Sequence, residues 1–245
     1  AHAYLDILVA TGAEPVVQSK WLSTVVVTSK DSTVADRLKN LTMVDSVKWV
    51  WKGHDVTPAQ EDDQEIRLSP SDAPLKEKYG YAERQIKMLN GIKLHDAGFR
   101  GEGMRVAVID AGFQNVDRIC VFDSLQLIGT HNVIYPGRSV YEADDHGTKV
   151  LSCMAANMPG IMVGTAPKAS YLLIKSEDSD SEYPIEEDYW AAAVEYADSV
   201  GVDVISSSLG YFAFDADELS YDQSALDGKS SLISQAAHIA AQKGI

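Results

Sequence analysis

The chain has 245 residues, of which 45% are apolar, which is ordinary for one large globular domain or two modest ones. Its 21 basic and 36 acidic side chains give a net charge of −15, and no run of Lys and Arg occurs, so the charge pattern of a nucleic-acid-binding protein is absent. No stretch approaches the roughly 20 consecutive apolar residues that a membrane helix needs. We therefore predict neither a nucleic acid nor a membrane as a partner.

The first 54 residues predict a small α+β domain. Residues 21–28 are β-branched and strand-like, residues 31–41 carry apolar side chains at a helical spacing, and residues 44–51 alternate again. This order predicts a βαβ-like unit. Residues 55–79 contain three prolines and an acidic cluster with little apolar periodicity, which predicts an exposed linker.

From residue 80 onward the pattern alternates between strands and helices. The predicted elements are strands 104–110, 170–175 and 202–207 and helices 146–156, 185–200 and 230–243. The strands are nearly continuous apolar runs, as expected when helices cover both faces of a parallel sheet. We therefore predict an α/β domain whose functional groups collect at the carboxyl ends of its strands.

Two residues in this domain suit acyl-transfer chemistry. Asp110 ends the first predicted strand, and His146 opens a helix 146 − 110 = 36 residues later. A carboxylate bound to one imidazole nitrogen leaves the other nitrogen to exchange a proton with a nucleophile, and aspartate before histidine is one of three chain orders for such a triad. Taken singly, an aspartate at a strand end is usually a turn or capping residue, and a histidine at a helix start is usually a surface group.

Four segments, in this order, resemble landmarks of the subtilisin-like (subtilase) serine protease family. They are 106–112, 145–150, 163–169 and 207–210. The resemblance implies that Asp110 orients the imidazole and that His146 acts as general base and then as general acid. It also implies that one wall of the specificity pocket is formed by Ser208, Leu209 and Gly210, which pair with an extended substrate as an added strand. The second half looks closest to secreted subtilases of Bacteroidetes-type bacteria, which implies a secreted or periplasmic protein.

The resemblance also divides the chain. It implies a propeptide-like domain in 1–54, the linker in 55–79, and the N-terminal part of a catalytic domain in 80–245, with propeptide removal expected within 55–80. The family's catalytic serine and oxyanion asparagine have no counterpart in this sequence. We therefore expect a serine endopeptidase precursor that is truncated before its nucleophile and inactive as written. Its expected partners are a peptide or protein substrate and the missing C-terminal half of its own domain, with self-association through the uncovered sheet edge as an alternative.

Seven acidic residues lie within twelve positions, from Glu177 to Asp188. We predict no cofactor and no metal ligands, and calcium is the one candidate cation, because it takes oxygen ligands although the spacing matches no loop motif. A solvated acidic loop followed by charges at a helix N-terminus is the simpler interpretation. In the subtilase arrangement this loop borders the substrate cleft, where it could favour basic or polar substrate residues.

Two further interpretations concern single side chains and the function class. We interpret Cys120 and Cys153 as buried thiols. We interpret the remaining histidines as structural, since they show no shared metal spacing: His2, His54, His95, His131 and His238. An inactive subtilase-like module that binds peptides stays open as an alternative function. A nucleotide-binding α/β protein is disfavoured, because no glycine-rich phosphate loop follows a strand.

Overall fold

The computed structural model describes residues 2–51, 78–142 and 144–245. Most of the predicted linker, the expected region of propeptide removal and His54 therefore lie outside the described residues. Within the described ranges, no helix is long and apolar enough to cross a membrane.

Residues 2–51 form a small α+β unit. Its elements are α1 (His2–Ala10), β1 (Glu14–Ser19), β2 (Thr24–Thr28) and α2 (Val34–Lys39). β1 and β2 pair as an antiparallel hairpin. Leu8, Ala13 and Leu38 form a small buried cluster of their own, which joins α1 to α2.

The βαβ-like order predicted for this unit is wrong. The strand expected at 21–28 and the helix expected at 31–41 are present in shorter form as β2 and α2, but residues 44–51 form no strand. The apolar side chains of 44–51 alternate because they pack on two different clusters, Val47 against the cluster around Leu8 and Val50 against the helices that cover the main sheet. The prediction also missed α1 and β1. β1 is mostly exposed and has an irregular register near Pro15, so it carries no strand pattern.

Six of the eleven α-helices and strands that the structure describes from residue 78 onward were predicted from the sequence. They are α3 (Glu83–Met88), α4 (Gly91–Asp96), β3 (Arg105–Asp110), β4 (Gln126–Asn132), α5 (His146–Ala155), β5 (Asn157–Met158), β6 (Met162–Val163), β7 (Ser170–Lys175), α6 (Ile185–Val200), β8 (Val204–Ser207) and α7 (Leu232–Lys243). The six predicted elements are β3, α5, β7, α6, β8 and α7, and their bounds lie within two residues of those expected. α3, α4, β4 and the β5–β6 pair were not predicted.

Four parallel strands form the main sheet in the order β4-β7-β3-β8. Alternate residues of β3 face opposite layers: Ala107 and Ile109 pack with α6 and α7, and Val106 and Val108 pack with α5. Because both faces are covered, both sets of side chains are apolar, and the strand reads as one continuous run. The predicted α/β fold with a parallel sheet and helices on both faces is confirmed.

The sheet order brings two predicted segments together. β3 and β8 are parallel neighbours, with Ile109 opposite Ser207. Asp110 directly follows Ile109 and Ser208 directly follows Ser207, so both residues lie at the carboxyl edge of the sheet. This edge carries the candidate site.

The β1–β2 hairpin packs on the core cluster that contains α6 through apolar side chains such as Val26, and one carboxylate of α6 adds hydrogen bonds. Glu195 accepts hydrogen bonds from Ser19 Oγ at 2.5 Å and from the backbone N–H groups of Lys20 and Trp21 at 3.1 Å each. Ile185 N, at the start of α6, donates to Val50 O at 3.2 Å. Hydrogen bonds to a charged acceptor are stronger than neutral ones, so Glu195 is the main polar anchor of this contact.

Candidate active site

Asp110 and His146 are in direct contact. Asp110 ends β3 and is fully buried, and its Oδ1 lies 2.6 Å from His146 Nδ1. The same oxygen accepts a hydrogen bond from Ala111 N at 2.8 Å. His146 begins α5, and 49% of its side chain is exposed. With Nδ1 donating to the carboxylate, Nε2 is the nitrogen that can exchange a proton with another group.

Two glycines make this contact sterically possible. A Cβ on Gly147 would lie 2.4 Å from Gly112 O and 2.9 Å from Asp110 Cβ. A Cβ on Gly112 would lie 2.7 Å from Asp144 O. The start of α5 can therefore approach the end of β3 only because neither residue has a side chain.

Negative charge surrounds the imidazole. The hydrogen bond that His146 donates to Asp110 raises the pKa of His146, burial opposes the rise, and the charges of Asp110, Asp144 and Glu177 add to it. Glu177 is itself half-buried, and burial followed by the charge of Asp110 raises the pKa of its carboxyl. These negative charges therefore stabilise the imidazolium that forms when His146 takes up a proton.

Lys175 fixes the loop that follows Asp110. It lies opposite Asp110 in the β3–β7 register and is buried. Its Nζ donates to the carbonyl oxygens of Ala111 and Glu177, and Ser176 N donates to Asp110 O at 3.1 Å. Burial lowers the pKa of Lys175, while nearby carboxylates oppose this shift. The backbone carbonyl groups of Asp110 and Ala111 are thus held by hydrogen bonds from Lys175 and Ser176, at the end of β7.

An open cleft of about 540 Å³ joins His146 to the end of β8. Ser208, Leu209 and Gly210, predicted to bind substrate, all line it together with His146. Ser208 and Gly210 are exposed and Leu209 is half-buried. The structure therefore brings four of the five predicted site residues to one cleft at the carboxyl edge of the sheet, and the fifth, Asp110, is buried behind His146.

Comparison with known proteins gives a match to the Subtilase family over residues 101–245. This chain belongs to the subtilase family. Over 157 residues it is 31% identical to Subtilisin E of Bacillus subtilis (strain 168), an alignment that spans 60% of this subtilase and 39% of that protein. It is 30% identical to a thermostable alkaline protease of Halalkalibacterium halodurans over 127 residues, or 51% of this chain and 33% of the relative.

Two solved structures share the fold over the whole of this subtilase. Fervidolysin from Fervidobacterium pennivorans superposes with a TM-score of 0.59 at 18% identity, and the match covers 100% of this chain and 37% of that one. The epidermin leader peptide processing serine protease of Staphylococcus aureus gives a TM-score of 0.60 at 15% identity, with 100% and 56% coverage. The aligned part spans only 33% to 39% of the length of the two curated relatives.

The acidic cluster of this subtilase differs from the prediction of a solvated surface. Glu186, Glu187 and Asp188, in the first turn of α6, are buried. Glu187 accepts hydrogen bonds from Tyr221 OH at 2.6 Å and from Ile233 N at 2.8 Å, so distant segments fold over the helix start. Among the residues that the structure describes, no group of three or more His, Cys, Asp or Glu side chains is arranged to hold a metal ion.

Other single-residue interpretations have mixed outcomes. Cys120 is half-buried and Cys153 is exposed, so the prediction of buried thiols is wrong. Cys153 lies on the outward side of α5, where its Sγ contacts Lys149 O at 3.5 Å.

His95 is buried between Tyr79 OH at 3.1 Å and Thr165 O at 2.8 Å, a contact that fits a structural histidine. His131 stacks on Tyr196, and His238 lies beside Gln242.

Sequence reasoning missed Asp144 as a residue of the site. Its Oδ1 accepts a hydrogen bond from His146 N at 2.6 Å, and its Oδ2 accepts one from Ser179 Oγ at 2.9 Å. Its backbone oxygen also accepts from Gln114 N at 2.9 Å. The signal was its place two residues before the helix start, where an aspartate commonly accepts from a free backbone N–H.

We expect Gly147→Ala to lower the free energy of unfolding by about 2 kcal/mol, because the new methyl group meets backbone and a β-carbon rather than a flexible side chain. Urea unfolding measures this loss. Gly129→Ala is the matched control, since its Cβ meets only Leu172 at 3.8 Å. Equal stability of the two variants would contradict the close packing of α5 on β3.

Proposed function

We propose that these residues belong to a serine endopeptidase that hydrolyses peptide bonds through an Asp/His/Ser triad. The observation that carries the proposal is the 2.6 Å contact between Asp110 Oδ1 and His146 Nδ1, because His146 lines the same cleft as 208–210. Membership of a family whose matched relatives are named proteases supports the same reaction class. Ser208, Leu209 and Gly210 are proposed to pair with the substrate backbone.

In the proposed reaction His146 Nε2 takes the proton of the serine hydroxyl as its oxygen attacks the scissile carbonyl carbon. The imidazolium gives this proton to the leaving amine, and the acyl group stays bonded to the serine oxygen. Water then loses a proton to His146 as it attacks the acyl carbon, and the proton returns to the serine as the acid product leaves. Asp110 holds the imidazole tautomer and stabilises the imidazolium throughout.

The serine and the oxyanion asparagine are proposed to lie in the part of the catalytic domain that these residues do not span. The alignment covers 39% of Subtilisin E, which supports this division. β8 stands at an edge of the four-stranded sheet, and Val204 is 45% exposed. A further strand of the same domain is the proposed neighbour of β8. Self-association is the alternative, and a dimer mass for this chain in light scattering would favour it.

Residues 1–54 are proposed as a propeptide, 55–79 as a linker that is cut on maturation, and 80–245 as part of the catalytic domain. The separate cluster around Leu8 and the hydrogen bonds to Glu195 support the first of these divisions. N-terminal sequencing of the mature protein tests all three, because a first residue outside 55–80 would contradict them. Secretion by a Bacteroidetes-type bacterium, inferred from the resemblance, stays a prediction that detection of the protein in culture medium would test.

We expect Glu195→Ala to weaken the docking of the hairpin on α6 by about 2 kcal/mol, because three hydrogen bonds to one carboxylate are lost. Hydrogen exchange of the Lys20 and Trp21 amides should then accelerate by at least about tenfold. Ser199→Ala, an exposed position on the same helix, is the control. Unchanged exchange in Glu195→Ala would show that apolar contacts alone hold the hairpin.

Labelling by a fluorophosphonate, which reacts with activated serines, tests the proposed function in the full-length protein. We expect labelling together with hydrolysis of casein, and loss of both in His146→Ala. His238→Ala, which alters an exposed histidine on α7, should retain both. Peptide binding without labelling or hydrolysis would instead support the non-catalytic, peptide-binding module.

A further inference from the structure

The cleft that holds His146 is strongly acidic. Six carboxylate side chains line it: Asp144, Glu177, Asp178, Asp180, Glu182 and Asp215. Neither lysine nor arginine is among the described residues that line it. A cleft with one sign of charge concentrates ligands of the opposite charge.

Two of these carboxylates are held in place rather than freely solvated. Asp144 is fixed by its hydrogen bonds from His146 N and Ser179 Oγ. Glu177 is half-buried, and its charge acts on His146. A fixed, partly buried carboxylate interacts more strongly with a cation than a mobile surface one, because water screens it less. The negative charge therefore lies beside the imidazole itself.

Two buried polar groups, on Tyr211 and Glu186, lack a hydrogen-bond partner among the described residues. Tyr211, which follows the cleft residue Gly210, is only 7% exposed, and its hydroxyl has no hydrogen-bond partner among the described residues. The charges of Glu177, Glu186 and Glu182 act on this hydroxyl. Glu186 Oε2 is likewise buried without a partner in the described part of the chain. Buried polar atoms are rarely left unpaired in folded proteins.

Lys175 neutralises this charge only in part: its charge lowers the pKa of Glu177, but burial and the charges of Asp110 and Asp144 still raise that pKa above its ordinary value. Lys175, the buried cation nearest to Asp110 along the sheet, directs its Nζ to the carbonyl oxygens of Ala111 and Glu177. Burial, then the charges of Glu177 and Asp215, raises the pKa of Glu182 to about 7. A cation that enters the cleft reduces the repulsion between these carboxylates, so its binding is favoured.

Building on the proposed function, we propose that the cleft selects peptides with a lysine or arginine side chain in the stretch that lies beside 208–210. Glu177 and Glu182 are the residues that receive the charged group. The 208–210 segment forms one side of the cleft and the 177–182 segment another, so a peptide strand bound to the first presents side chains to the second.

The test uses the full-length protein and quenched fluorescent peptides in which one lysine is moved along a neutral sequence. Each peptide is paired with its norleucine counterpart, which has an uncharged side chain of similar length. At about pH 8, above the pKa of about 7 for Glu182, we expect kcat/KM for lysine at the best position to exceed that for norleucine by at least about fivefold. Raising the salt from about 0.05 M to about 0.5 M should reduce this ratio.

The variants Glu177→Gln and Glu182→Gln should each reduce the lysine preference. Asp96→Asn, an exposed position on α4 outside the cleft, removes the same charge and should leave the preference intact. Equal reduction in all three variants would mean that only the net charge matters. That outcome would overturn the proposal.

Failure of the specificity proposal and failure of the proposed function give different results. Hydrolysis of lysine and norleucine peptides at equal rates would overturn the specificity and leave the protease function intact. Absence of hydrolysis and of fluorophosphonate labelling would overturn the function. Fluorescence anisotropy with the same peptide pairs then decides the charge preference: tighter binding of the lysine peptide supports it, and equal binding overturns it.

Discussion

Asp110→Asn should reduce kcat of the full-length protein by about 10⁴-fold while leaving its fold intact. Asparagine can keep the hydrogen bond from Ala111 N, so the end of β3 is preserved. What is lost is the negative charge that holds the proton on His146 Nδ1 and stabilises the imidazolium. The measurement is kcat for a peptide substrate, with circular dichroism and melting temperature as checks on folding.

The pH profile of the same variant separates a catalytic pair from a structural one. A general base acts in its neutral form, so activity should rise with pH through the pKa of His146, which Asp110 raises above 6.5. In Asp110→Asn this rise should move to lower pH, because the main cause of the raised pKa is gone. Asp123→Asn, at an exposed position, is the control. A residual activity within about tenfold of the parent would contradict the proposed pair.

The sheet and the Asp110–His146 pair were predictable because the signals for them are local. The β3 strand is apolar on both faces up to Asp110, and α6 is bounded by Pro184 and by Gly201 at φ 79°, a conformation that favours glycine. The parallel arrangement followed from the helices between the strands. The carboxyl ends of parallel strands lie at one edge of the sheet, so the two side chains could be expected to meet there.

The missed features depend on packing between distant segments. β4 has Gly129 at an irregular point of its register and a mixture of exposed and half-buried residues, so it shows neither alternation nor an apolar run. The first turn of α6 was correctly interpreted as acidic, but its burial depends on Tyr221, Ile233 and Thr24. These contacts join residues 34, 46 and 164 positions apart in the chain. No local pattern contains that information.

Glu186→Gln should stabilise the protein at alkaline pH and have little effect at acidic pH. Glu186 is 1% exposed, and burial, followed by the charge of Glu182, raises its pKa from 4.5 to about 9. The folded state therefore holds this proton more tightly than the unfolded chain does. The resulting stability is fully present below about pH 4.5 and is lost as the pH rises through about 9.

Glutamine resembles the protonated acid and does not titrate, so it removes this dependence. Glu186→Gln should exceed the parent in unfolding free energy by about 3 kcal/mol near pH 8 and match it closely near pH 4. Chemical unfolding at both pH values measures the difference. Asp188→Asn is a useful comparison, because burial raises the pKa of Asp188 only to about 6. The gain in unfolding free energy from this substitution should therefore reach its full value just above about pH 6.

An equal loss of stability in Glu186→Gln at both pH values would contradict this account. It would mean that the carboxylate is ionised in the folded protein and that Oε1 contributes mainly as the acceptor for Asp178 N. The expected result instead means that Glu186 is neutral at working pH, since it keeps its proton. The charge that a substrate meets then comes from the carboxylates of the cleft wall, chiefly Glu177 and Glu182.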